Sequence, residues 1–249
     1  VIIGFACFDT SYKQLFSYEN IQSEPSQIKV KNINGYLVSG DDIIIGTRKE
    51  PICNVPKMTW GSQPRDGGHF IIGCEEIDLI LESNPGIDKF VRLYLGGREL
   101  VQNKKRYCLW LDGADPSELK KQPFIMDRIE KVRLSRLESK APSTRKFADT
   151  PSLFAQIAHL DTDFLAIPEV SSERRRYIPI GFLESSVIAS NKIQMIPNAS
   201  LYLFGVLTSQ MHMSWMKYTC GRMKSDYSYS NSLVYNNYPW PNQSSEKNK

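Results

Sequence analysis

The residues of this chain best suited to chemistry are cations, and they fall in two stretches. The first contains Lys120, Lys121, Arg128, Lys131, Arg133, Arg136, Lys140, Arg145 and Lys146, set against Asp127, Glu130 and Glu138. On an exposed helix such groups neutralise phosphates and release counterions, an attraction that does not depend on base sequence. A solvated helix face laced with local ion pairs has the same composition. The second stretch, Glu173-Arg174-Arg175-Arg176, is shorter and sharper. Arginine pairs bidentately with guanine and glutamate accepts from the cytosine amine, so this run has the chemistry to read a base pair. Read as a strand, it points Arg174 and Arg176 to one face and Glu173 and Arg175 to the other. Its plainer reading is a charged turn, or an edge strand that its arginines protect from aggregation.

Other groups carry less. Lys104 and Lys105, with Arg106, precede a strand signal and read as a hairpin tip with a backbone contact at best. Gly67-Gly68-His69 lacks the Lys-Ser/Thr ending and the strand-to-helix setting of a phosphate loop, and reads as a tight turn presenting Arg65 and His69. Asp115, Glu118 and Lys120 match the acidic-acidic-lysine pattern of metal-dependent nucleases, in which carboxylates hold Mg²⁺. Asp as cap, Pro116 in the first turn and Glu118 three residues after the cap explain them more simply as a helix start. Asn237-Tyr238-Pro239-Trp240 differs from the Asn-Pro-Pro-aromatic motif that holds a flipped adenine by a tyrosine in place of the first proline. A Pro-rich segment packing Trp240 on the domain explains the string more simply. His69, His159 and His212 are scattered, and the five cysteines include no Cys-x-x-Cys pair. The expectation is therefore no metal site, no catalytic residue and reduced thiols.

The elements that must position the two cationic stretches come from periodicity and punctuation. A helix is predicted from near Glu75 to the stop at Asn84-Pro85-Gly86, and a strand at Tyr107–Leu111. A second helix is predicted over Phe124–Lys140 with Ile125, Ile129 and Val132 on one side. At about 100° per residue Arg136 and Lys140 continue that side, which carries the stripe from the core into a basic surface. Strands are predicted at Leu165–Val170 and Arg176–Ile180, and buried strands at Val1–Phe5 and Ile43–Ile45. Thr208 is placed to cap a helix carrying Met211, Trp215 and Tyr218, with Gly221 ending it. These elements give an α+β fold, a mixed sheet with several packed helices.

With 249 residues, 41% hydrophobic and 23% charged, the chain has a soluble, globular composition, and its net charge of +4 is only mildly basic. That suits a localised basic face better than wholesale wrapping of nucleic acid. No apolar stretch approaches the roughly 20 residues that span a bilayer, so no membrane partner and a cytoplasmic location are expected. The opening Val1-Ile2-Ile3-Gly4-Phe5 reads as a strand whose neighbours lie upstream, which suggests a piece of a longer protein. The polar stretch Gln22–Gln27 reads as a boundary, giving a trailing strand at 1–22 and a main domain at 23–241. Residues 242–249 read as a disordered tail or linker.

Several longer strings are too particular in order to be generic: Tyr229–Asn237 followed by Tyr238-Pro239-Trp240-Pro241, Phe90–Glu99, Ser171–Pro179, Gly67-Gly68-His69, Pro51–Met58 and Cys220–Tyr227. They resemble the target-recognition region of MmeI-type (type IIG/IIL) adenine-specific DNA methyltransferases, the single-chain restriction-modification enzymes. The resemblance implies a non-catalytic piece that recognises double-stranded DNA beside an upstream methyltransferase domain of the same polypeptide. The cofactor S-adenosylmethionine belongs to that domain, and none is implied here. It also implies DNA contacts from Arg65, Lys104, Lys105, Arg128, Arg133, Arg136, Lys140, Arg145, Lys146 and Glu173–Arg176, with Arg222, Lys224, Tyr227 and Tyr229 nearby. A protein-interaction module with a basic surface and a minimal Mg²⁺-dependent nuclease are the rival readings.

Overall fold

The structure, a computed structural model, describes residues 2–20 and 22–241. The chain forms two units, Val1–Thr47 and Arg48–Lys249. In the first, β1 (Lys13–Ser17) pairs antiparallel with β2 (Ser26–Val30), Lys13 opposite Val30 and Ser17 opposite Ser26. The boundary expected near residue 22 thus falls inside this hairpin, and the division comes after Thr47. The buried strand expected at the start is not formed over residues 2–5, where Ile2 and Phe5 are exposed. Ile43–Ile45 forms no strand either, and Ile43 and Ile44 are exposed. Apolar runs supply side chains for burial, but without a neighbouring backbone to bond they make no ladder. The expected tail at 242–249 lies outside the described residues.

The second unit runs β3 (Thr59–Trp60), β4 (Ile71–Gly73), α1 (Ile77–Ser83), β5 (Val91–Leu95), α2 (Gly97–Gln102), β6 (Arg106–Leu109), α3 (Pro116–Lys120), α4 (Pro123–Leu137) and α5 (Pro142–Arg145). It continues through β7 (Phe164–Pro168), β8 (Val170–Ser171), β9 (Gly181–Leu183), β10 (Ile188–Ala189) and β11 (Ile193–Pro197). Then come α6 (Leu201–Leu207), α7 (Gln210–Thr219), β12 (Gly221–Met223), β13 (Asp226–Ser228) and a π-helical turn at Asn231–Tyr235. Its strands form three sheets, ordered β10-β5-β6-β4, β3-β11-β7-β9 and β12-β13-β8. The β10–β5 pair is parallel and the others antiparallel, so the expected α+β architecture with a mixed sheet is present.

Local chemistry explains most helix starts. Asp115 accepts from the Ser117 amide at 2.8 Å and Pro116 occupies the first position of α3, the capping arrangement that the sequence spelled out. Glu118, the second carboxylate of the nuclease-like triplet, pairs with Lys89 at 2.7 Å. Ser209 caps α7, while Thr208 instead closes α6 by donating to the Phe204 carbonyl. The strand expected at Arg176–Ile180 is absent, and residues 172–180 pass through a turn and bends.

Two large hydrophobic clusters organise this unit. One gathers Phe70, Ile72, Leu109, Ile125 and Val132 around the four-stranded sheet containing β4–β6. The other joins Leu165, Ile167 and Ile196 to Met216, Tyr229, Tyr235 and Trp240. The signature string Tyr229–Asn237 is largely inside: Asn236 Nδ2 donates to the Arg48 carbonyl, Asn237 Nδ2 to the Ser232 and Leu233 carbonyls, and Tyr235 Oη to the Pro56 carbonyl. Trp240 packs edge-on against Tyr235 and Tyr238, the packed exit expected for it.

Candidate nucleic-acid interface

The three-stranded sheet β12-β13-β8 brings two distant cationic segments to one place. Ser171 of β8 lies opposite Tyr227 of β13, and Val170 opposite Ser228. Because the strands are antiparallel, continuing β8 past Ser171 leads toward the end where β12 turns into β13. The Glu173–Arg176 turn and the Lys224–Ser225 turn therefore leave the same end of one sheet.

The arginine segment is a turn, so the alternation of a strand does not apply to it. The Arg174 amide donates to Ser172 Oγ at 3.3 Å and the Arg175 amide to the Ser172 carbonyl at 3.1 Å. Glu173, Arg174, Arg175 and Arg176 are all exposed, with the Arg176 guanidinium 5.3 Å from the centre of the Tyr177 ring. Next to them, Arg222 stacks 4.2 Å above Tyr227 and donates to the Ser225 carbonyl at 3.0 Å. Lys224 is exposed and sits in the left-handed region at φ 58°. Tyr227 and Tyr229, expected as polar contacts, are instead 6% and 2% exposed. Tyr227 is a platform for Arg222, and the Tyr229 hydroxyl bonds His212 Nε2 at 3.2 Å inside the core. Burial pushes the Tyr229 phenol far above its ordinary range and drags His212 down to about 4.

The long helix is less open than its composition suggests. Arg136 is fully buried, and its guanidinium makes five hydrogen bonds, to the carbonyls of Pro64, Arg65, Phe147, Thr150 and Leu153 at 2.7–2.9 Å. It continues the Ile125 and Val132 stripe as expected, but inward, so it is a structural clamp and not a surface contact. Burial lowers its pKa, opposed by the charge of Asp66. Arg128 donates to the His69 carbonyl and Arg145 to the Ser139 carbonyl, while Arg133 holds Glu130 bidentately. The Glu130 bond raises the Arg133 pKa. Lys140 and Lys146 remain exposed. The helix is rooted in the Phe70 core, whereas Tyr227 belongs to the other.

Arg65 is presented on a turn, as expected, with φ 45° and its guanidinium 5.7 Å from the Phe147 ring centre. The turn is built by the buried Asp66 carboxylate, which accepts from the Gly68 and Phe70 amides at 3.1 and 2.6 Å. Lys104 and Lys105 are exposed between α2 and β6, in a helix-to-strand turn and not at a hairpin tip. Lys192, between β10 and β11, escaped the sequence reading because a single lysine in a polar turn gives no pattern.

A cavity of about 760 Å³ lies between α6, α7 and Tyr238–Pro241 and is lined by Met211, Trp215, Tyr218 and Tyr202 among others. None of its lining residues among the described ones is charged, so these offer no counter-charge to a phosphate. Among the described residues no three His, Cys, Asp or Glu side chains are placed to share a metal ion. No helix among them is long and apolar enough to cross a membrane.

The family profile described as "MmeI, target recognition domain" matches residues 39–242. DNA methyltransferase A of Bacillus subtilis (strain 168) is 36% identical over 248 residues, 99% of this chain and 28% of that protein. The solved structure of the type IIL restriction-modification enzyme MmeI in complex with DNA superposes with a TM-score of 0.91 at 46% identity, covering 95% of this chain and 32% of that one. The chain thus spans about a third or less of the length of these relatives. It belongs to the MmeI target-recognition-domain family.

Proposed function

We propose that this chain recognises a specific sequence in double-stranded DNA, as the target-reading part of a longer methyltransferase of a restriction-modification system. The observation that carries the reading is the shared sheet end, where the exposed Glu173–Arg176 turn and the Arg222–Lys224 hairpin stand together. Clustered arginines with one glutamate suit guanine and cytosine edges. Lys140, Lys146, Lys104, Lys105 and Arg65 are exposed cations suited to phosphates, and Arg128, Arg133 and Arg145 are half-engaged with protein groups. The similarity to MmeI, solved in complex with DNA, supports the same partner here.

Methyl transfer from S-adenosylmethionine to the N6 of adenine is assigned to a methyltransferase domain of the same polypeptide, and a cytoplasmic setting goes with it. The test is duplex binding measured against salt, followed by mapping of methylated sites in cells carrying the full gene. Salt-dependent binding with a preferred sequence is the expected result. Negligible affinity for any duplex at low salt overturns it.

A further inference from the structure

A second cationic feature lies apart from the arginine turn. A cleft of about 320 Å³ is lined by Gln63, Arg65, Tyr94, Arg106, Asn191 and Lys192, among others. Its cations come from three separate segments: the turn before β4, the start of β6 and the β10–β11 connection. Backbone hydrogen bonds hold two of these segments together. The Ser62 amide donates to the Ala189 carbonyl at 2.7 Å and the Asn191 amide to the Ser62 carbonyl at 2.9 Å.

Each cation is oriented before any ligand arrives. Glu99 holds Arg106 at 3.1 Å, with the guanidinium 5.0 Å from the Tyr94 ring centre, and Glu169 holds Lys192 at 2.8 Å. Arg65 bonds Gln63 Oε1 at 3.1 Å and, among the described residues, has no carboxylate in ion-pair contact. Among the described residues, the lining of the cleft carries three cations and no carboxylate. The Arg106 Nε–H is buried with no hydrogen-bond partner among the described residues, an unmet donor that an oxyanion would answer.

We infer that this cleft seats one backbone phosphate of the duplex, with Arg65, Lys192 and Arg106 neutralising it and Asn191 and Gln63 supplying amide donors. The inference rests on the DNA-reading function and names a contact for it. Glu169, which anchors Lys192, is four positions before Glu173 and leads directly into β8. Four residues of chain reach at most about 14 Å, which keeps the Glu169 anchor of Lys192 within that span of the arginine turn. A phosphate contact fixes register and carries no sequence information, which separates the cleft's role from that of the turn.

The test compares the 249-residue chain with Arg65→Ala/Lys192→Ala on a random-sequence duplex and on a panel of sequences, with affinity measured from about 50 to 200 mM salt. The double variant should lose affinity by the same factor on every sequence, and its log–log salt slope should flatten by about 1. Arg65→Lys/Lys192→Arg should keep the slope. Should the alanine pair fail to fold, Arg65→Gln alone, which breaks no ion pair, should give a smaller uniform loss. A wild type with a salt-dependent affinity and a double variant with the same slope sink the cleft while leaving the function standing. A wild type that binds no duplex sinks both. Inorganic phosphate bound by the wild type, with no change of duplex slope in the variant, makes the cleft a free-phosphate site and overturns the inference.

Discussion

Ser171 and Tyr227 face each other across the β8–β13 ladder, and this single pairing puts the arginine turn beside the Arg222 hairpin. They are 56 positions apart in the chain, by the difference of their numbers, yet a two-residue strand joins them. The side chains on either flank are exposed, and the ladder beneath them belongs to the core sheet network through Tyr227 and Tyr229.

Because the turn's side chains make few contacts with the rest of the protein, changing them should alter reading without altering folding. Arg174→Ala, Arg175→Ala or Arg176→Ala, at any position that touches a base, should cost about 1–3 kcal/mol on the preferred duplex and relax preference at one base pair. Lys140→Ala should weaken all sequences alike. Binding to a panel of duplexes with single base-pair changes separates the two patterns, and an equal loss on all sequences for the arginine variants would reassign them to phosphates.

Arg136 is expected to be a stability residue. Removing its guanidinium takes the donor from five carbonyls at once and empties a fully buried site, so Arg136→Ala should lower the unfolding free energy by about 3–5 kcal/mol. Arg136→Lys should recover little, because an ammonium cannot reproduce the planar fork. Urea denaturation reads the effect, and a change within about 0.5 kcal/mol, typical of surface sites, would contradict it.

His212 predicts an acid limit. Its folded pKa is lowered to about 4 by burial, against 6.5 unperturbed, so the unfolded chain takes up the proton first as pH falls. The stability is fully present above pH 6.5 and is lost between about 6.5 and 4, by on the order of 3 kcal/mol from this group. Thermal unfolding of the wild type and of His212→Gln, which keeps a bond to Tyr229 but does not titrate, should show the slope only in the former.

Gly61 sits where no side chain fits. An added Cβ would meet the Ser190 and Ala189 carbonyl oxygens well inside van der Waals contact. Gly61→Ala should therefore force apart the strand connections beneath the cationic cleft and destabilise by about 1–3 kcal/mol, an overpacking cost. A melting temperature equal to the wild type's would show that the backbone gives way freely.

What the sequence disclosed follows from the range of the forces involved. The Asp115 cap with Pro116 was readable because the cap and its amide partner are two residues apart. The stripe of α4 was readable too, and Arg136 lay on it, but periodicity says which way a side chain points and not what waits there. Its five carbonyl partners come from segments 11 to 72 positions away. Ile43–Ile45 and the opening residues misled because apolar content was read without a pairing partner. Arg176–Ile180 misled because one turn bond from Arg175 to Ser172 redirects the chain before a strand can begin. The family strings were the most informative part, and Tyr235 and Asn236 show why: their order is fixed by interior contacts, so they mark the scaffold more than the reading surface.

Arg65 shows both faces of this design in one residue. Its carbonyl is pinned by Arg136 at 2.9 Å, which holds the left-handed backbone in place, while its own guanidinium projects outward. An incoming anion thus meets a hand whose wrist is already locked. The freedom that most flexible cationic loops surrender on binding was given up here when the helix closed, so an anion bound at Arg65 would keep more of the attraction as affinity.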